Sequence, residues 1–344
     1  MQANIFKNSF ITPEAHELPP HVRVLTTTRV LPDASKKMPE ALSVQAQPLF
    51  PLSPRGRGCP EGAGEGERQT FYPSPPAPLP QGERGAEHGA SFSRLNQIRS
   101  NEIHWPPTSH AKGAALESAF AQCGHALHHF LPTPPLWLQQ VHGIDVVKID
   151  DSISASVMRQ TPPVADAAVT CTPDVVLAVL TADCLPIVIA CENSHALAIA
   201  HAGWRGLADG VLENTVRCLV AMSSSPTKSL MVWLGPAIGP AAFEVGEDVY
   251  TAFDATRDDE TASCFTPTGS SGKCVGKWHA DLYALARLRL RRLGISKISG
   301  GSWCTYSDAQ RFFSYRRQRD EKRMATLAWI SGGRGQVSGI RNQI

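Results

Sequence analysis

The chain has no run of the roughly 18 apolar residues that a membrane-spanning helix needs, so no such helix is expected. It also lacks an excess of charge of either sign. Its 33 Lys and Arg against 31 Asp and Glu leave a formal net charge of +2. That argues against nucleic acid or an anionic membrane surface as the default partner. Its nine cysteines are an odd number with no CxxC pair, which argues against a disulfide scaffold. They imply a reduced, cytoplasmic setting in which most of them are small buried hydrophobes. The opening MQANIFKNSF has neither a cationic start nor an apolar core, so no secretory signal is read there. What is present is 42% apolar residues in 344, enough for a sizeable core.

His21–Thr28, HVRVLTTT, is rich in β-formers and reads as a first strand ending near Arg29. Between Pro51 and Ala90 the composition changes: eight Pro and eight Gly fall in this stretch. Such a segment buries too little apolar surface to offset its ordering entropy, so a flexible surface insertion over 49–95 is expected. A polyproline ligand on Pro73–Pro78 is the lesser reading. The domain organisation follows: a tail over 1–20, one domain over 21–335 interrupted by the insertion, and a tail over 336–344. Residues 112–130 read as a helix stopped by Pro132, Pro134 and Pro135. Cys123, His125, His128 and His129 at its end are a weak ligand set.

The rest of the chain is organised around residues 165–206, ADAAVTCTPDVVLAVLTADCLPIVIACENSHALAIAHAGWRG. Its apolar runs Val175–Leu180, Ile187–Cys191 and Ala196–Ala200 are strand-length and continuous, as expected for strands covered on both faces. Val146–Ile149, Leu230–Leu234 and Met324–Ile330 read as further strands. Leu207–Met222 reads as one amphipathic helix. Thr251–Lys277 reads as a polar loop. Asp281 is positioned to cap a helix that Gly294 stops, with Arg287, Arg289, Arg291 and Arg292 on its solvated face. Buried strand-length runs with reactive side chains at their ends, interleaved with helical stretches, point to an α/β fold.

The reactive side chains fall at strand ends, where a rigid sheet presents loops. His142 sits in Val141-His142-Gly143, Cys184 in Ala182-Asp183-Cys184, and His201 just after the third run. Two imidazoles and a thiolate suit Zn²⁺ with a fourth position open. The same residue types suit a Cys nucleophile with a His base. Spacing alone does not choose between them. Gly235-Pro236 and Gly239-Pro240 force a specific loop nearby. Arg316-Arg317, beside Phe312 and Phe313, form a pair suited to phosphate.

Several pieces of the chain, taken together, resemble the laccase-domain (YfiH-like) family, also called multicopper polyphenol oxidases. They are WLQQVHG at 137–143, ADAAVT at 165–170, LTADCLPI at 180–187, HAGWRG at 201–206, LGPAIGPAAFEVG at 234–246, and the CT and FFSYRR pieces within 304–317. The family is regarded as purine nucleoside phosphorylases. The resemblance implies a single-domain, layered α/β (α+β) fold of mixed sheets flanked by helices, shared with bacterial toxin deamidases of the CNF type. It also implies that His142, Cys184 and His201 are the catalytic and metal-binding set, holding zinc or copper.

The implied activity is phosphate-dependent cleavage of adenosine, inosine, guanosine or methylthioadenosine to base and ribose 1-phosphate, with adenosine deamination as an associated activity. Partners would be a purine nucleoside and inorganic phosphate, in a monomer or weak homo-oligomer. Arg205, Arg316 and Arg29 would clamp the phosphate. Asp166 or Asp183 would carry a proton or orient a His ligand. The chain departs from the family pattern after Thr27-Thr28-Arg29, where Val30-Leu31-Pro32 replaces a Gly-Gly-Val-Ser segment. The alternatives are therefore a Cys–His hydrolase or deamidase and a non-catalytic copy impaired by the insertion. A copper phenol oxidase ranks low, because several His-x-His pairs are missing.

Overall fold

The computed structural model describes residues 10–14, 16–28, 131–150, 162–268, 276–319 and 322–332. The 49–95 insertion, the 112–130 helix with its Cys and His cluster, Arg29 and the C-terminal tail lie outside them.

The central sheet has six strands. Their order is β12 (Lys297–Gly300), β8 (Leu230–Leu234), β6 (Leu185–Cys191), β7 (Leu197–Ala202), β4 (Ala167–Thr170) and β3 (Val146–Ile149). Its outer pairs, β12 with β8 and β3 with β4, are parallel, while the inner ones are antiparallel. A second sheet of four antiparallel strands runs β1 (Phe10–Ile11), β2 (Val22–Thr27), β13 (Met324–Ile330) and β5 (Leu177–Thr181). A small sheet joins β10 (Phe265–Pro267), β11 (Lys277–Ala280) and β9 (Glu244–Gly246).

The continuous apolar runs have a simple cause. Along β6, Leu185, Ile187 and Ile189 enter one core with helices α2 (Val211–Ser223) and α5 (Leu282–Arg292). Val188 and Ala190, pointing the other way, enter a second core with Val22, Leu177 and Val179 of the four-stranded sheet. All seven β6 residues are buried, so no polar alternation appears in the sequence. Alanines 198, 200 and 202 of β7 lie in the first core with Val211 and Leu212. Their small side chains let α2 approach the sheet.

Some expectations are corrected. The helix over 207–222 is two helices, α1 (Trp204–Asp209) and α2, separated by Gly210 at φ 104°, a conformation that favours glycine. The 251–277 loop contains α4 (Asp259–Ala262) and β10, and α3 (Glu247–Ala252) runs into its start. Asp281 does cap α5, accepting from the Ala284 amide at 2.9 Å, and Gly294 follows the helix at φ 82°. Arg287 and Arg289 are half-buried and hydrogen-bonded to other elements. Arg287 donates to the carbonyls of Ile298 and Gly300, and Arg289 to Glu213 and to the Ala208 carbonyl. Both stitch α5 to its neighbours, while Arg291 and Arg292 are exposed.

Candidate active site

Three chain segments converge at one end of the central sheet. The first is the Val141–Gly143 turn, where His142 takes φ 62°, unusual for a non-glycine residue. The fully buried Asp166 carboxylate holds it there, accepting from the amides of Val141 (3.1 Å), His142 (2.9 Å) and Gly143 (2.7 Å). Asn214 of α2 donates to the Ile144 carbonyl just beyond, at 3.1 Å.

His201 comes from the second segment. It lies within β7, opposite Pro186, and not on the turn after it. The Ala167–Ala200 register places it beside Asp166, whose carbonyl accepts the His201 amide at 2.7 Å. The His201 Nδ1–H donates to Asp166 Oδ1 at 2.8 Å. One carboxylate thus sets both imidazoles. It shapes the turn that carries His142, and by engaging Nδ1 of His201 it leaves Nε2 as the nitrogen that faces Cys184. Burial alone would raise the Asp166 pKa, but His201 and the turn amides reverse that and lower it.

The third segment is the β5–β6 turn bearing Asp183, at φ 96°, and Cys184. Cys184 Sγ lies 3.7 Å from His142 Nε2. The two imidazole rings meet edge-on at 4.8 Å between centroids. The ligating atoms of His142, Cys184 and His201 all lie within 4.8 Å of one another. Among the described residues this is the one cluster of three or more metal-ligating side chains. Burial pushes the Cys184 thiol up, but the His201 charge and contacts with both imidazoles outweigh it and pull it down to about 6. Burial likewise opposes charge on His201, yet Cys184 and Asp166 raise it to about 9.

Glycines make this approach possible. A Cβ at Gly203 would lie 2.6 Å from His142 Cδ2 and 3.2 Å from Cys184 Sγ, and one at Gly206 would lie 2.7 Å from the Gly143 carbonyl.

The remaining candidates separate. Arg205 is exposed, with its guanidinium stacked 4.3 Å from the Trp204 ring. Arg316 donates to the Glu244 carbonyl at 2.9 Å and sits over Phe243. Arg317 is committed to the carbonyls of Thr305, Tyr306 and Phe312, so the pair does not form one bidentate clamp. Asp183 touches neither imidazole. Its carboxylate accepts from Thr305 and Ser314 hydroxyls and from the Arg316 amide. Thr305 and Ser314, which sequence reasoning did not single out, are therefore part of the setting. A cavity of about 390 Å³, lined by Tyr283, Arg287, Trp303 and Cys304 among others, is separate from the His–Cys–His cluster, none of whose residues line it.

A family profile described as multi-copper polyphenol oxidoreductase laccase matches residues 114–331, more than half of the chain. The chain belongs to this family.

Among similar members, a purine nucleoside phosphorylase of Xylella fastidiosa is 52% identical over 202 residues, covering 58% of this chain and 74% of that one. The purine nucleoside phosphorylase YfiH of Escherichia coli is 46% identical over 200 residues, covering 58% and 75%. A crystal structure of a Neisseria meningitidis protein superposes with TM-score 0.62 at 32% identity, covering 94% of this chain and all of that one.

The laccase-like name raises the question of whether a metal fits. A tetrahedral zinc site with bond lengths near 2.3 Å to sulfur and 2.0–2.1 Å to nitrogen separates S and N ligands by about 3.6 Å. The observed 3.7 Å between Cys184 Sγ and His142 Nε2 matches. With His201 Nδ1 held by Asp166, its Nε2 is the remaining donor. The residues present fit a metal with two nitrogens, one sulfur and an open position.

Proposed function

We propose that the protein is a purine nucleoside phosphorylase in which His142, Cys184 and His201 hold a zinc or copper ion at the reaction centre. The substrates are adenosine, inosine, guanosine or methylthioadenosine together with inorganic phosphate. The observation that carries this reading is the convergence of two imidazoles and a thiol within 4.8 Å of one another, with both imidazole-bearing segments held by one buried carboxylate. Relatives named purine nucleoside phosphorylase at 46–52% identity support it.

In the reaction a phosphate oxygen bonds to the ribose C1′ as the C1′–purine bond breaks. The electron pair leaves with the base, which then takes a proton. Arg205, exposed and stacked on Trp204, and Arg316 supply positive charge that binds and orients the phosphate dianion. Arg29 belongs to the same proposal. Asp166 orients His201 and carries no proton, because both its oxygens are occupied by backbone amides and the imidazole. A metal bound by the three side chains supplies Lewis-acid polarisation of a substrate or water oxygen. Deamination of adenosine is the second activity proposed for the same centre. A cytoplasmic setting belongs to the same proposal.

A Cys–His hydrolase is the second reading, favoured by the 3.7 Å contact of Cys184 with His142 and the lowered thiol pKa. Incubating purified protein with adenosine, with and without phosphate, tests the assignment, with products separated by chromatography and metal measured on the same sample. Phosphate-dependent adenine release with about one metal ion per chain is the expected result. Inosine formed regardless of phosphate would move the assignment to deamination. Inactivation of metal-free but active protein in step with Cys184 alkylation would favour the hydrolase.

A further inference from the structure

We infer that Asp183 is a positioning residue that fastens the Arg316-bearing segment to the Cys184 turn, and is neither a ligand nor a proton carrier. The inference rests on the phosphorylase reading, because Arg316 is taken there as a phosphate-binding side chain.

Three contacts carry it. Asp183 Oδ1 accepts from the Thr305 hydroxyl at 2.6 Å. Oδ2 accepts from the Ser314 hydroxyl at 3.1 Å and from the Arg316 amide at 2.7 Å. Both carboxylate oxygens are therefore engaged, by groups more than 120 residues away in the chain. Thr305 and Ser314 are fully buried, so water does not readily take the place of the carboxylate. The Asp183 carbonyl adds a fourth tie, accepting the Ile238 amide at 2.9 Å, and Thr305 in turn donates its amide to the Ala237 carbonyl at 2.9 Å. One residue thus joins the Cys184 turn, the 235–240 loop and the 304–317 segment.

The backbone shows the same specialisation. Asp183 takes φ 96°, a region that Asp and Asn tolerate better than other non-glycine residues. The segment it holds is also closed on itself, since the Arg317 guanidinium binds the Thr305, Tyr306 and Phe312 carbonyls. These bonds brace the segment against itself. Its attachment at Asp183 sets the distance between the Arg316 backbone and Cys184, and so the place of the phosphate relative to the thiol.

The experiment measures KM for phosphate and for adenosine separately, with metal content, in wild type, Asp183→Asn and Asp183→Ala. Amide exchange over 304–317 is followed without substrate. Asn still accepts from Ser314 and Arg316 and donates to the Thr305 oxygen, so Asp183→Asn should stay close to wild type. Asp183→Ala should raise KM for phosphate by about tenfold or more, with KM for adenosine and metal content unchanged and with faster exchange over 304–317. If Asp183→Ala does not fold, Thr305→Val removes one tie alone, and Ser314→Ala removes another together with the bond its hydroxyl accepts from the Arg317 amide at 3.2 Å. Thr305→Val should give a smaller shift in the same direction. Loss of turnover in Asp183→Asn with normal KM values would show a proton carrier and overturn the inference. So would equal changes in both KM values, or unchanged exchange over 304–317 in Asp183→Ala. Wild type that releases no adenine with phosphate would refute the phosphorylase reading, and the exchange data would still decide the tether.

Discussion

Gly203→Ala isolates the close packing of the site from every other property of the chain. Gly203 has φ −65° and ψ 159°, a conformation any residue adopts, so the substitution carries no backbone strain. What it adds is a Cβ 2.6 Å from His142 Cδ2, 3.2 Å from Cys184 Sγ and 3.4 Å from His142 Nε2. Carbon atoms rest at about 3.5–4.0 Å, so the overlap with the imidazole is roughly 1 Å. His142 cannot retreat through its backbone. Asp166 holds its amide and those of Val141 and Gly143 on either side of it. The ring must therefore swing and carry Nε2 away from Cys184. A misplacement of this size costs about 10²-fold in rate, and the overpacking costs about 1–3 kcal/mol in stability. The assay is kcat/KM for phosphate-dependent adenosine cleavage, alongside metal content and the thermal midpoint. Gly210→Ala is the control: at φ 104° with a Cβ 3.5 Å from Glu213, it should cost about 1–3 kcal/mol through backbone strain and leave activity intact. Full metal content and wild-type kcat/KM in Gly203→Ala would refute the reasoning.

Asp166→Ala leaves three turn amides and the His201 Nδ1–H without their acceptor in a fully buried place. It should lose about 3–5 kcal/mol, read by denaturant unfolding, together with bound metal; stability within about 0.5 kcal/mol of wild type would contradict the nest described for Asp166. In metal-free protein the imidazoles favour the Cys184 thiolate, so its alkylation rate should rise with a midpoint near pH 6, where the thiol is pulled down from 9.0 to about 6. A midpoint near pH 9 would show that the imidazoles do not reach the sulfur.

In the central sheet β4 and β12 were not read as strands, whereas β6, β7 and β8 were legible because both their faces are covered and their runs are apolar. The same absence of alternation concealed their direction, and the antiparallel pairing of β6 with β7 and β8 rests on contacts that periodicity does not encode. His201 read as a turn residue because Gly203 follows it closely, yet β7 continues through Ala202. Gly210 fell inside a helical pattern whose apolar spacing continued across it, and only its φ of 104° breaks the helix. Arg287 and Arg289 looked solvated because their partners, the Gly300 and Ala208 carbonyls, lie on other elements and not at i±4. His142, Cys184 and His201 were legible as residue types at strand ends. The amide nest of Asp166 and the tether of Asp183 to Thr305 and Ser314 were not, because both depend on contacts across 23 to 131 residues of chain.

The central claim is that one His–Cys–His centre both binds metal and carries phosphorolysis. Cys184→Ala, assayed for phosphate-dependent adenine release and for bound zinc on the same folded sample, tests it most directly. Loss of both with an unchanged circular dichroism spectrum is the result predicted. Retained metal with wild-type turnover would contradict the account and place the chemistry elsewhere on the chain.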